Sequence, residues 1–143
     1  MINHSQVNWA SFIEFLLLQV GKPYIFGVEN DPNEEDWTKY KAWDCSELVQ
    51  ISYEKIGLPL PDGSYNQAKV IKKVNNGNFL IGDLFFKWNP DTEVIHHVGI
   101  YIGENRIIEA KGKAYGVLLT PLDNYMASTH FAFIGRHKEI IDA

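Results

Sequence analysis

The chain has 143 residues, 45% apolar and 13% aromatic, an ordinary globular composition that predicts one domain, residues 1–143, with a core built without disulfides or metals. A formal net charge of -5 and the lack of a basic block argue against an anionic polymer, so no nucleic-acid partner is expected. One cysteine excludes an internal disulfide, and no stretch approaches the roughly 18 apolar residues of a membrane span.

In chain order, Trp9, Phe12, Ile13, Leu16, Leu17 and Val20 recur at helical spacing until Gly21 and Pro23 stop the pattern, which predicts a first helix with one buried stripe. The apolar "FIEFLLLQV" is interrupted by Glu14 and Gln19 and has neither a positive leader nor a small-residue cleavage site. No signal peptide is read there, and a soluble protein made in the cytoplasm is expected. Residues 28–43 are polar and acidic and read as a surface loop. A second helix is predicted from Cys45, with Asp44 as N-cap and Glu47 three residues on as in a capping box. Leu48, Val49, Ser52, Tyr53 and Ile56 mark its inner face, and Gly57 ends it. After a turn-rich "LPLPDGSYNQ", Ala68 to Val74 reads as a short helix.

Beyond Asn78 the period changes to two, in "FLIGDLFFKW", "HHVGIYIG", "RIIEAKG", "GVLLTPL" and "FAFIGRH". Helices first and strands second, without alternation, predict an α+β fold with an antiparallel sheet of about five or six strands.

A lone cysteine is usually a small buried apolar residue. The position of Cys45 supports a second reading. At the first turn of a helix, N–H groups without intrahelical partners and the helix dipole favour a thiolate, and the same groups could hold an oxyanion. A nucleophile also needs a base. Of five histidines, His4 lies near one end and His130 and His137 near the other, whereas His96 and His97 open the best-marked strand. Val98, Ile100 and Ile102 should face the core, so His97, Gly99 and Tyr101 share the other face, and His96 points with the core set or precedes the strand proper. The bland reading of His97 is an exposed strand end.

A base needs an orienting acceptor. A three-residue turn Gly103-Glu104-Asn105 sets Ile102 opposite Arg106 and Glu109 opposite Gly99, one diagonal step from His97 on the same face. A two-residue turn sends Glu109 to the wrong face. Cys45, His96, His97 and Glu109 are also zinc-ligand types, but their spacing matches no structural zinc pattern, so neither a metal nor another cofactor is expected.

"GKPYIFG", "WDCSELV", "LPLPDGSYNQA", "IGDLFF" and "HVGIYIGENRIIEA" stand in an order and at gaps that resemble the NlpC-type cell-wall peptidases, papain-like cysteine peptidases of peptidoglycan. The resemblance runs from about Phe12 to Arg136. It implies a papain-like fold, with Cys45 as nucleophile, His97 as base and Glu109 as the third, orienting residue. Tyr24 matches a tyrosine beside the nucleophile, and Asp44 and Ser46 match positions that hold substrate. The chain departs from the family's usual glycine at Glu47, tryptophan at Phe26 and histidine at Glu109, and its 28–43 loop is longer.

The resemblance implies hydrolysis of an amide in peptidoglycan stem peptides, with the γ-D-glutamyl to diamino-acid link as the expected bond. A related amidase of the CHAP class, an acyltransferase, or a non-enzymatic phage tail component are the rival readings. The "DCSEL" and "IIEAKG" forms resemble phage versions. They imply action at the cell wall as a particle component or lysis enzyme, with a tail or other targeting partner.

Overall fold

A short strand, β1 (Ile2–Asn3), precedes three helices, α1 (Trp9–Gln19), α2 (Cys45–Glu54) and α3 (Ser64–Val70). Then come β2 (Lys72–Val74), β3 (Leu84–Trp88), β4 (Ile95–Tyr101), β5 (Arg106–Ala110), β6 (Val117–Pro121), α4 (Leu122–Ala127), β7 (Phe131–Arg136) and β8 (Ile140–Ile141). This computed structural model describes residues 1–127 and 130–142. Strands β2 to β7 form one six-stranded antiparallel sheet in the order β2-β7-β3-β4-β5-β6, and β1 pairs with β8 in parallel. The α+β class and the strand count follow the sequence expectation.

Period-two alternation gives the sheet two buried faces. Leu84, Phe86, Val98, Ile100, Ile108 and Ala110 pack beneath α1 and α2, against Phe12, Leu16, Leu48 and Val49. Phe85, Ile107 and Ile134 pack with Tyr125 of α4 on the opposite face. A full burial of each such side chain is worth about 1.5–3 kcal/mol.

Three sequence expectations are corrected. The buried stripe of α1 is Phe12, Phe15, Leu16 and Gln19, while Leu17 and Val20 are exposed. The stripe is rotated because α1 also packs on the 28–43 segment: Phe15 meets Trp37, Tyr40 and Trp43 edge-on, and Trp43 Nε1–H donates to Gln19 Oε1 at 3.1 Å. For the same reason the 28–43 segment is not wholly a surface loop, since Tyr40, Ala42 and Trp43 are buried. Finally, the helix after the turn-rich stretch begins at Ser64 and ends at Val70, and Lys72–Val74 is an edge strand paired with β7, Lys72 opposite Arg136. Its pairing partner lies far along the chain, so local periodicity carries no trace of it.

The chain's start is tied down. His4 Nε2–H donates to the Ile81 carbonyl at 2.7 Å, and Ile2 N–H donates to Glu139. Among the described residues no helix is long and apolar enough to cross a membrane.

Candidate active site

Asp44 caps α2 as expected. Its Oδ1 accepts the Glu47 N–H at 2.8 Å, which leaves Cys45 as the first residue of the helix. The reciprocal half of the capping box is not what Glu47 supplies. Its carboxyl takes the Asn30 backbone N–H, and burial, with Asp44, Asp62 and Glu29 nearby, pushes its pKa up to about 7. The other Asp44 oxygen accepts Gly27 N–H at 3.0 Å, and Ser46 Oγ–H donates to Oδ1 at 3.2 Å. Asp44 thus ties the 24–27 segment to the start of α2. Tyr24 is placed by a short parallel pairing with Trp43, in which Ile25 N–H donates to the Trp43 carbonyl and Trp43 N–H to the Pro23 carbonyl.

The β4–β5 hairpin has the three-residue register: Ile100 pairs with Ile108 and Tyr101 with Ile107, which carries Glu109 to the level of Gly99. Ile102 N–H donates to Arg106 O, and Arg106 N–H returns to Gly103 O. Gly103, Glu104 and Asn105 all adopt positive φ, 89°, 53° and 61°, so two residues with a Cβ take the left-handed conformation in this turn.

This register brings the pair together. His97 Nε2–H donates to Glu109 Oε1 at 2.8 Å, with the two side chains 14% and 4% exposed. A carboxylate only accepts, so the ring proton sits on Nε2 and Nδ1 is left for the thiol of Cys45, with which the ring also bonds. Burial opposes charge on the ring, but the bonds to Cys45 and Glu109 and the charges of both outweigh it and raise the His97 pKa to about 9. Burial likewise opposes charge on Glu109, yet the bonds from His97 and Thr120, with the charges of His97 and Lys87, hold its carboxyl below the ordinary range.

His96, in contrast, is exposed, and its contact with Cys45 is through the backbone, the thiol lying 3.7 Å from the His96 carbonyl oxygen. His137 is buried and donates to the Pro59 carbonyl at 2.9 Å.

Two residues that sequence reasoning missed complete the cluster. Thr120 Oγ1–H donates to Glu109 Oε2 at 2.6 Å from the neighbouring strand β6. The Tyr125 ring lies 6.1 Å from the His97 ring and its hydroxyl donates to the Phe85 carbonyl at 2.7 Å, closing the far side of the imidazole. The alternation of "GVLLTPL" sets Thr120 apart as a polar position on β6; only the sheet order could have linked it to Glu109.

An open cleft crosses the site in two lobes that share Tyr24 and His96. One holds Cys45, Asp44, Ser46, Phe26 and Tyr65. The other holds His97, Glu109, Lys87, Trp88, Lys111 and His130. Every site residue picked from the sequence therefore lies on this cleft. The Tyr24 hydroxyl is pushed up to about 12 by burial and by the charges of Cys45 and Asp44, so it remains a hydrogen-bond donor at neutral pH.

A cysteine at a helix start, facing an imidazole held by a carboxylate, is the arrangement of a papain-like thiol hydrolase. The sequence profile of the NlpC/P60 family matches residues 21–136. The chain belongs to the NlpC/P60 family. Its relatives in that family include the bifunctional muramidase/DL-endopeptidase CwlT of Bacillus subtilis, 32% identical over 119 residues, which are 82% of this chain and 33% of CwlT. The murein DD-endopeptidase/LD-carboxypeptidase MepS of Escherichia coli is 37% identical over 84 residues, 58% of this chain and 43% of MepS. This NlpC/P60 chain thus spans less than half the length of the curated relatives it matches, 33% of CwlT and 43% of MepS. The structure of NlpC1 from Trichomonas vaginalis shares the fold, with a TM-score of 0.76 at 20% identity over 92% of this chain and 45% of that one.

Proposed function

We propose that the protein is a cysteine peptidase that hydrolyses an amide bond in peptidoglycan stem peptides, and that it acts at the cell wall. The observation that carries this reading is that Cys45 opens α2 within reach of the His97 ring, whose other side is held by Glu109 at 2.8 Å.

The steps follow from that alignment. His97 takes the Cys45 proton through Nδ1, and Glu109 stabilises the imidazolium. The thiolate attacks the substrate carbonyl, and the oxyanion that forms is received by the N–H groups at the start of α2 together with the Tyr24 hydroxyl. Protonated His97 then gives its proton to the leaving amine, and the thioester that remains is hydrolysed by water activated by the same ring.

The bond we propose is the γ-D-glutamyl to diamino-acid link, a D–L linkage. CwlT, whose match covers 82% of this chain, is a DL-endopeptidase by name, whereas MepS, which matches a shorter stretch, is named for DD-endopeptidase and LD-carboxypeptidase activities. Mass spectrometry of muropeptides after incubation with purified protein tests this. The expected products are a new free amine on the diamino acid and a new glutamyl carboxylate. A freed lactyl group would instead mean an amidase, an acylated acceptor a transferase, and unchanged muropeptides a non-catalytic module.

A further inference from the structure

The two lobes of the cleft carry opposite charge. Asp44 lies in the lobe with Cys45, and Lys87 and Lys111 lie in the lobe with His97 and Glu109. Among the described residues that line the second lobe Glu109 is the one carboxylate; it accepts from His97 and Thr120, and its charge also acts on Lys87. The two ammonium groups are held over aromatic rings, Lys87 Nζ 3.8 Å from the Tyr125 centroid and Lys111 Nζ 4.5 Å from that of Tyr115. Both lysines line a lobe of about 300 Å³ whose wall continues through Trp88, Pro90 and His130 into a further groove.

The direction of the substrate across the cleft follows from chemistry. The group that protonates the leaving amine is the His97 imidazolium, so the leaving half must depart on the His97 side of the thiol. The acyl half then occupies the lobe of Cys45, Asp44 and Tyr65.

We infer that the lobe lined by Lys87 and Lys111 is a carboxylate-recognition subsite for the leaving half of the substrate, so that the protein discriminates a free from an amidated carboxylate on the diamino acid that supplies the scissile amine. This rests on the peptidase reading above and adds to it a substrate feature read by named residues. Two cations beside an apolar wall suit a carboxylate on a short aliphatic stem, and a charge-assisted contact is roughly twice as strong as a neutral one. Amidation removes the charge and presents an N–H₂ donor to two groups that are themselves only donors.

The test uses three versions of the peptide L-Ala-γ-D-Glu-diaminopimelate: unmodified, amidated on the glutamate α-carboxylate, and amidated on the diaminopimelate carboxylate next to the scissile amine. For the wild type, amidating diaminopimelate is expected to raise KM by about tenfold with kcat nearly unchanged, the size of one charged hydrogen bond. Amidating glutamate is expected to do less. Lys111→Gln should reduce the discrimination to roughly two- to threefold, and Lys111→Arg should keep most of it. Discrimination that persists in both Lys111→Gln and Lys87→Gln, or that follows the glutamate carboxylate, overturns the inference while leaving the peptidase intact. Calorimetric binding of the same peptides to Cys45→Ala separates the two claims. Cleavage by no variant, with tighter binding of the free acid that Lys111→Gln abolishes, defeats the peptidase reading and supports the subsite. Equal binding of acid and amide defeats the subsite.

Discussion

His97 Nε2 and Glu109 Oε1 stand 2.8 Å apart across two strands whose register is set by a turn at Gly103–Asn105, with Glu109 buried to 3% exposure. The contact fixes the imidazole tautomer, so its loss should act on rate rather than on substrate binding. Glu109→Gln keeps size and one acceptor but loses the charge, and kcat should drop by about 10–100-fold. Glu109→Ala should drop further because nothing orients the ring, and Glu109→His should retain part of the activity. Steady-state kinetics on purified variants checks the ranking; equal kcat for Glu109→Ala and wild type would remove the orienting role.

The same pair fixes a pH dependence. With its pKa raised to about 9, His97 keeps the proton it takes from Cys45 across neutral pH. Activity that needs the imidazolium as acid should fall as pH rises through about 9, and in Glu109→Gln that alkaline limb should move to lower pH, because the charge holding the proton is gone. Stability follows with two signs. The raised His97 value contributes stability that is complete below the ordinary imidazole pKa and lost as pH rises through about 9. The lowered Glu109 value contributes stability present above the ordinary carboxylate pKa and lost as pH falls through the folded one. Thermal melts of wild type and Glu109→Gln should therefore differ most near neutral pH and converge at both extremes.

Thr120 extends the chain of contacts one strand further, and its role should appear as a smaller version of the Glu109 effect. Thr120→Val keeps the shape and removes the hydroxyl that donates to Oε2, at a cost of about 1 kcal/mol or more for a bond to a charged group. The kcat should fall by roughly three- to tenfold with KM unchanged, and Thr120→Ser should restore it. An unaltered kcat for Thr120→Val would show that His97 alone holds the Glu109 carboxylate.

The parts of this site that are legible in the sequence are those set by local rules. Asp44 before an apolar helical face marks the start of α2. Period-two alternation separates Val98 and Ile100 from His97, and counting across a turn of Gly-Glu-Asn gives the Glu109 register. What was not legible depends on contacts between distant segments. Thr120 reaches Glu109 only because β6 lies beside β5, and Tyr125 only because α4 folds back over the face of Phe85. Leu17 and Phe15 exchange places because the 28–43 segment, polar in its first half, turns inward at Tyr40 and Trp43. Lys72–Val74 is a strand only by virtue of β7.

Gly99 sits opposite Glu109 in the hairpin, under the Tyr125 ring. A Cβ there would lie 2.7 Å from Ile107 Cγ2 and 3.0 Å from Tyr125 Cε1, closer than side chains pack. Gly99→Ala should destabilise the fold by about 1–3 kcal/mol through overpacking. It should also lower kcat, because Tyr125 walls the His97 ring. Denaturant unfolding with kinetics on the folded fraction checks both; an unshifted midpoint would mean that the face yields freely.

The two adjacent histidines should behave unequally. His97 bonds Cys45 and Glu109, whereas His96 meets the thiol only through its carbonyl, so His97→Ala should abolish turnover and His96→Ala should have a smaller effect. The reverse ranking would mean that the His96 ring serves the thiol.

The central claim is that the Cys45 thiolate is the attacking group, and it is tested most directly by following iodoacetamide alkylation of Cys45 and loss of peptidase activity in one sample near neutral pH. The thiol is the only one in the chain, so mass spectrometry of the intact protein reads it without ambiguity; the residue is buried to 8% exposure and borders the cleft. The two time courses should coincide, and Cys45→Ala and Cys45→Ser should be folded and inactive. Full alkylation of Cys45 with activity retained would contradict the account.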